Sequence, residues 1–590
     1  MKRILSIILA VLMITALFAG CAGDTDTPAT NTPSATPGSS TGDTTEQGTP
    51  DEVVEDSPYK FAAGKVEWDE NGWPLTGYEY ETPICTTDEV LTYWTVCWTP
   101  QILPEAGLDG IDFCVEEQRL TGIDIEYIVI DAMGRSENFS VLLAADDLPD
   151  LMNQADIYYP GTEAEAIAEE HFANIYDYKE YCPNYLYYIR SKMAEDKNLY
   201  DQCFLDDTTI SKFMGLNDVG GLDATTLAVR ADWLDKLGVD IEEFDTIEEY
   251  EEVAKRMQVE LGASYPMNLL FEGLDTGSYL GCFDTATGLS TTYINAFPSP
   301  RVVDGDVQFY FSDDNARQYV ETIAGWVANG FVSPDWISGT DAEYNVTNNL
   351  VGIAVMPLNS MSYYTAANPD PDCRWEIVKK PSLYEGQVHH FGISRGLCNG
   401  YGRTQISATC ENSPLAVTWC DWRYCAQGSE LSAWGVEGTL WEYNEEGRRV
   451  ATEFCYANPD GQIMGFLQCT YSSNFLAEHG LGDAAAPYSY PGGEKVFDYF
   501  ARWYDIQYDG AYDWPKGVQL TEEQSSAFMR YADIDTYVNE NIMEFVVGIK
   551  PMSEWDAYIE GLKGMGLEEA EAIYQEAYDS YVQRVAERDF

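Results

Sequence analysis

The sequence predicts an α/β protein made of more than one domain, and three observations carry that reading. Strand-like and helix-like segments alternate between residues 89 and 152, the pattern of a parallel sheet with crossover helices. Hydrophobic residues make up 45% of the chain and aromatic residues 13%, enough to bury sizeable cores. A length of 590 residues exceeds what one ordinary core fills and points to two or three domains.

The elements follow in order. Glu89 to Cys97 (EVLTYWTVC) is a run of apolar and β-branched residues and reads as a buried strand. Pro100 and Pro104 follow, then a helix into Leu120. Ile123 to Ile130 reads as a second strand, Arg135 to Ala145 as a second helix, and Asp147 to Met152 as a short third strand. Ligands on such sheets bind at the carboxyl ends of the strands. Here those ends are Cys97-Trp98-Thr99 and Asn153-Gln154-Ala155-Asp156. Further on, Arg230 to Met257 reads as two helices. Gly238 ends the first, and Asp245 or Thr246 caps the second. Asn315 to Asn329 is an amphipathic helix closed by Gly330. Asn349 to Pro357 and Val388 to Ser394 read as strands, Ser413 to Gly428 as one helix, and Asp533 to Gln583 as almost entirely helical.

Charge excludes several functions. Acids outnumber bases 99 to 33, a formal net charge of -66. Such a surface repels phosphate backbones and anionic membranes, so nucleic acid is excluded as a partner. It also disfavours polyanionic ligands. The 41 Tyr and 15 Trp supply flat, hydrogen-bonding faces suited to neutral polar ligands, although aromatic cores account for part of that count.

The amino terminus reads as an export signal. Lys2 and Arg3 precede an apolar run from Ile4 to Ala19, shorter than the roughly 20 residues that span a bilayer. Leu17-Phe18-Ala19-Gly20-Cys21 resembles a bacterial lipobox, which implies a signal peptide over residues 1–20 and a lipid on Cys21. Phe18 is bulkier than the residue usual at that position. Residues 21–57 are rich in Thr, Pro, Ser, Gly, Asp and Glu and hold no aromatic, a composition expected of a disordered tether. Without Cys21, thirteen of the 14 cysteines remain, an odd number, so they cannot all pair, although some pairs can form. Neither the four histidines nor the cysteines show metal-ligand spacing, so no metal and no cofactor is expected.

Several segments, in order, resemble the extracellular solute-binding lipoproteins of carbohydrate ABC importers. They are the lipobox and tether, Asp147-Leu148-Pro149-Asp150, and Arg230-Ala231-Asp232-Trp233-Leu234-Asp235-Lys236-Leu237-Gly238 running on to Thr246-Ile247-Glu248-Glu249-Tyr250. After these come Asn329-Gly330-Phe331-Val332-Ser333-Pro334-Asp335, Trp434-Gly435-Val436-Glu437-Gly438-Thr439-Leu440-Trp441, and the stretch from Val547 to Tyr578. The proline usual before the threonine is replaced by Phe244-Asp245. The resemblance implies a two-lobed, periplasmic-binding-protein-like clamp with a hinge. Placed on this chain, it puts residues 59–175 and 370–430 in a first α/β lobe, and 176–369 and 431–590 in a second. It also implies a monomer with no catalytic step, held at the outer face of the cell membrane by its lipid. Such a protein would deliver a neutral sugar or oligosaccharide to ABC permease subunits.

Sugars present hydroxyls in the ring plane and weakly apolar ring faces, so a cleft needs polar side chains at its edges and aromatic plates above and below. The candidates in the first lobe are Trp98, Asn153, Asp156 and Tyr158, with Tyr159 beside them. Trp98 is equally readable as a core plug and Asp156 as a helix cap. In the second lobe Arg230 could pair with sugar hydroxyls or form a structural salt bridge. Tyr293 and Asn295 lie in a polar, aromatic loop with Phe297, and Asn359 and Tyr363 follow a strand, near Met361 and Tyr364. Trp434 and Trp441 flank a glycine turn, and one of them is a candidate stacking plate. Trp233, Trp419 and Trp422 are read as core.

Competing motifs are weaker. Gly392-Ile393-Ser394-Arg395-Gly396 fits a nucleophile elbow, but a glycine-punctuated stretch rather than a helix signal follows it. Carboxylate pairs for glycoside hydrolysis are uninformative among 99 acids. Asp69-Glu70-Asn71-Gly72 and Asp304-Gly305-Asp306 are too short for calcium loops and read as turns. A peptide-binding lipoprotein, a surface glycoside hydrolase and an adhesin are the alternatives.

Overall fold

The computed structural model describes residues 57–588 apart from 98–101, 132–133, 197, 219–224, 269–280, 286–298, 310, 336–341, 358–360, 391–395, 458–470, 472–478 and 482–494. Residues Ser57–Phe590 form one compact unit. The export signal and tether expected over residues 1–56 lie outside the described residues.

The chain builds two main sheets and passes between them repeatedly. It lays down β1 (Val90–Val96), β2 (Asp124–Ile130), β3 (Leu151–Asn153) and β4 (Phe213–Asn217) in a larger sheet. It then places β5 (Thr225–Arg230) and β6 (Met267–Asn268) in a smaller one. A hairpin, β7 (Pro300–Val303) with β8 (Asp306–Phe309), precedes β9 (Ile353–Pro357) and β10 (Trp375–Ile377), which complete the smaller sheet. After β11 (Val388–His389) the chain returns to the larger sheet as β12 (Cys398–Ile406). A second hairpin, β13 (Trp441–Tyr443) with β14 (Arg449–Ala451), leads to β15 (His479–Gly480), again in the larger sheet. Last comes β16 (Gln507–Tyr508), which pairs with β11. The larger sheet runs β15-β4-β12-β3-β1-β2 and the smaller β10-β5-β9-β6.

The expected parallel crossover unit is present: β1 is parallel to both β2 and β3. The helices Asp112–Thr121 and Arg135–Ala145 provide the crossings, and the second matches its expected bounds. Alternate residues along β1 go to opposite faces, as the strand period requires. Leu91 and Tyr93 join a core with Ile125, Leu151, Phe213 and Ile406. Trp94 packs on the other face with Phe139 and Met152. The smaller sheet has its own core around Leu227, Val229, Ile353 and Val355, into which Trp233 packs. Trp419 and Trp422 are fully buried. Gly238 ends its helix at φ 68° and Thr246 caps the next in a capping box with Glu249.

The two sheets divide the chain differently from the lobe boundaries drawn from the resemblance. β4, placed in the second lobe, pairs with β12 in the larger sheet. β10, placed in the first, pairs with β5 in the smaller. Residues 433–455 hold a small core of Ala433, Trp434, Leu440, Trp441 and Cys455 with Ile102, which directly follows the β1 end of the larger sheet. Strand pairing across well over a hundred residues decides these memberships, and local sequence does not encode it.

Two element boundaries also shift. The helix expected over Ser413–Gly428 is two helices, Ser413–Trp422 and Ala426–Trp434. The chain doubles back so tightly that a β-carbon on Gly428 would lie 2.0 Å from the Trp422 carbonyl oxygen. The strand expected from Asn349 starts only at Ile353, because Asn349 adopts φ 59°. A β-carbon on Gly352 would also meet Met257 at 2.4 Å.

Charges are buried in pairs. Arg423 and Glu117, both fully buried, meet at 2.7 Å, with the guanidinium 3.5 Å from the Trp419 ring. The two acidic turns are used locally. Asp69 accepts the backbone N–H groups of Asn71 and Trp73 at 2.9 Å each, and Asp304-Gly305 turns the β7–β8 hairpin at positive φ. The amide donors of β8 are met by the helix Leu567–Glu587: Glu571 accepts from Phe309 at 3.0 Å and Gln575 from Val307 at 2.7 Å. Burial raises the Glu571 carboxyl to about 7. Unfolded, it would ionise near the ordinary Glu value of about 4.3. Between those limits the folded state keeps a proton that the unfolded state loses, so native stability falls as pH rises from about 4.3 to 7. Glu571→Gln should therefore gain stability over the parent across that window and level off above it, by at most about 4 kcal/mol. Urea titrations at pH 4.5, 6 and 8 check this, and a pH-independent difference would contradict it.

Candidate ligand cleft at the carboxyl edges

In the larger sheet β1, β2, β3, β4 and β15 all run the same way, while β12 opposes them. Their carboxyl ends therefore share one edge: Val96, Ile130, Asn153, Asn217 and Gly480. In the smaller sheet β6 and β9 are parallel, ending at Asn268 and Pro357, and Thr225 at the start of β5 pairs with Pro357. Only residues 218–224 separate Asn217 from Thr225. A fully extended connection of that length spans about 28 Å at most. The two carboxyl edges are thus tied within about 28 Å of each other at this point.

The best-described part of this edge surrounds Asn153, Asp156 and Tyr158. Asn153 is 1% exposed. Its amide nitrogen donates to the Arg403 carbonyl at 3.2 Å, and its carbonyl oxygens, side-chain and backbone, accept from Arg135. Arg135 also donates to Gln154 at 3.0 Å, and its guanidinium lies 4.7 Å from the Trp94 ring and 5.1 Å from the Tyr158 ring. Tyr158 is half-buried, edge-on to Trp94 at 5.9 Å. Tyr159 is buried beside Phe172, with its hydroxyl on Glu169.

Asp156 neither caps a helix nor stands free. It sits in the short turn Ala155–Ile157, and its carboxylate bends across β12 towards the start of β4. There it accepts from Lys212 at 3.1 Å, Arg403 at 2.8 Å and Gln405 at 2.9 Å. Glu163 closes the group from the other side of Lys212. Two acids and two bases make the cluster neutral. Arg403 retains 23% side-chain exposure, and its Nε has no hydrogen-bond partner among the described residues. It stands one residue beyond the Asn153–Thr404 pairing, at the carboxyl end of β3. That nitrogen is itself buried, so a ligand would meet only the exposed remainder of the side chain.

Arg135, Lys212, Arg403 and Gln405 are absent from the sequence-based candidates. Arg135 was legible as the first helical residue after a strand end. The other three are brought to Asp156 by β4 and β12, and nothing local marks them.

The remaining candidates fall elsewhere. Arg230 is fully buried and its donors are taken. Asp232 accepts at 2.7 and 2.9 Å, Asn349 at 2.5 Å and Asp370 at 3.2 Å. The Trp233 ring lies 4.8 Å from the guanidinium. Arg230 ends β5, five residues from Thr225, which puts it about 17 Å from the carboxyl edge of β9. The structural salt bridge is the role it has. Trp434 and Trp441 are also buried, crossing at 6.0 Å, with the Arg449 guanidinium 4.6 Å from each ring and the Trp441 N–H on the Gly435 carbonyl. Arg449 fills the place a sugar ring would take. Met361 and Tyr364 are core residues. Tyr363 belongs to the helix Met361–Ala367, but its side chain lies outside the described residues, as do Trp98, Tyr293, Asn295, Phe297 and Asn359. The elbow Ser394 is outside them too, and the chain beyond it enters β12 rather than a helix.

No protein-family model and no curated protein matches the sequence. Solved structures do. An alginate-binding protein, AlgQ2 without calcium ion, superposes with a TM-score of 0.59 at 19% identity, covering 84% of this chain and 99% of that one. An HMO-binding, ABC-transporter-associated solute-binding protein from Bifidobacterium longum infantis gives 0.62 at 15% identity over 84% and 99%. The S. pneumoniae ABC-transporter substrate-binding protein FusA, in complex with kestose, gives 0.59 at 16% identity over 84% and 100%. The fold is that of a two-lobed solute-binding protein.

Two substitutions separate edge from core. Arg230→Met should destabilise the fold by about 3 kcal/mol, since it strands Asp232 and Asp370, yet leave ligand affinity within a factor of about two. Arg403→Met should lower affinity about tenfold through loss of a charged donor. Calorimetric titration beside thermal unfolding checks both, and a large loss of affinity in Arg230→Met would contradict the placement.

Proposed function

We propose that this protein captures a carbohydrate, a neutral oligosaccharide, between its two lobes and delivers it to the permease of an ABC transporter. The observation that carries the reading is the match of almost the full length of three carbohydrate-binding proteins to most of this chain. The neutral cluster around Asp156 and the net charge of -66 favour a neutral ligand over a polyanion. Capture has no catalytic step: closure is favoured by contacts that form only when both lobes touch the ligand. In this reading the chain works as a monomer at the outer face of the membrane, held by a lipid on Cys21. Its first lobe consists of the larger sheet and its helices, and its second of the smaller sheet and the carboxyl-terminal helices.

Thermal unfolding of residues 57–590 across neutral oligosaccharides, acidic oligosaccharides and short peptides tests the proposal. A ligand at 100 times its Kd adds about 2.7 kcal/mol, a rise of a few degrees. The expected result is a rise with one family of neutral glycans. A rise with peptides alone would keep the fold and overturn the function.

A further inference from the structure

Of twelve described cysteines, eleven are buried and Cys398 is partly exposed. Two sulfurs meet. Cys203 ends the helix Leu199–Cys203, Cys398 begins β12, and their Sγ atoms lie 3.9 Å apart, although the residues are 195 positions apart in sequence. A disulfide needs about 2.05 Å. The difference is within the reach of side-chain rotation, provided the two backbones stay where they are.

They are held there independently of the sulfurs. Leu397, next to Cys398, donates its N–H to the Asp196 carboxylate at 2.8 Å, just ahead of the Cys203 helix. Its carbonyl accepts from Asn217 at 2.8 Å, and Cys398 itself pairs with Leu216. Cys203 sits in the core of the larger sheet, with Cys398 packed against it. Cys398 is the partly exposed member of the pair, and Cys203 is buried.

We propose that Cys203 and Cys398 are a redox pair that closes into a disulfide when the protein meets a small-molecule disulfide. The Cys398 thiol loses its proton and attacks one sulfur of the reagent, forming a mixed disulfide and expelling a thiolate that takes up that proton. The Cys203 thiol loses its proton and attacks the Cys398 sulfur, forming the Cys203–Cys398 bond and expelling the second thiolate, which is protonated in turn. Two protein thiols are oxidised and one small disulfide is reduced to two thiols. The bond fastens the strand by which the chain re-enters the larger sheet, beside β4 by which it leaves. This inference does not depend on the identity of the ligand.

The test treats the full chain with oxidised glutathione, blocks remaining thiols by alkylation, and maps tryptic peptides without reduction. The expected result is a protein two hydrogens lighter, in which peptide 198–212 is joined to peptide 396–403. Its unfolding temperature should rise by about 5 °C over the reduced form. Cys398→Ser should abolish the joined peptide, and Cys203→Ser should stop the reaction at glutathione bound to Cys398. Alkylation of both cysteines in the treated parent protein, or glutathione on each with no joined peptide, would overturn the proposal.

Discussion

The strand that leaves the larger sheet and the strand that returns to it are hydrogen-bonded neighbours, and most of the architecture depends on that pairing. β4 hands the chain to the smaller sheet through residues 218–224, and β12 brings it back antiparallel alongside. The first departure and the first return therefore lie side by side, and a later passage after β15 carries the chain to the carboxyl-terminal helices. A connection of seven residues keeps the two carboxyl edges within about 28 Å of each other at this point. Hinge closure of two-lobed proteins turns on a few residues in such connections.

The same pairing assembles the polar cluster. Asp156 follows β3, but Lys212 precedes β4 and Arg403 and Gln405 lie on β12, so only the order β3-β12-β4 brings their side chains to one carboxylate. Ion pairs away from water gain little net stability, because desolvation offsets attraction, whereas removal of one partner is costly. That accounting fits the fully buried pair Arg423–Glu117 and the group around the buried Arg230, which fix internal geometry away from solvent. In the Asp156 cluster the arginine itself, Arg403, keeps about a quarter of its side chain open, whereas Arg230 and Arg423 are fully buried.

Much of the fold was legible where the signal is local. The alternation of Glu89–Cys97, Ile123–Ile130 and the helix between them is a matter of period, and the parallel unit followed. Gly238 and Thr246 ended and started helices because their side chains, or the lack of one, decide a single turn. The lobe boundaries were not legible, since β4 and β10 are assigned by partners far along the chain. Arg230 shows the limit for sites. Its arginine before a helix suited a sugar hydroxyl as well as an ion pair, and only the direction of β5 reveals that it sits at the edge opposite the carboxyl ends of β6 and β9. Trp434 and Trp441 similarly need Arg449, from a different strand, before their ring faces can be seen as filled.

The central claim is that a carbohydrate is held by two lobes that close on it. Small-angle X-ray scattering of residues 57–590, with and without the oligosaccharide that raises the unfolding temperature, tests it directly. The account predicts a smaller radius of gyration at saturation, reached with the same midpoint as binding. Saturating binding with an unchanged radius of gyration would contradict it.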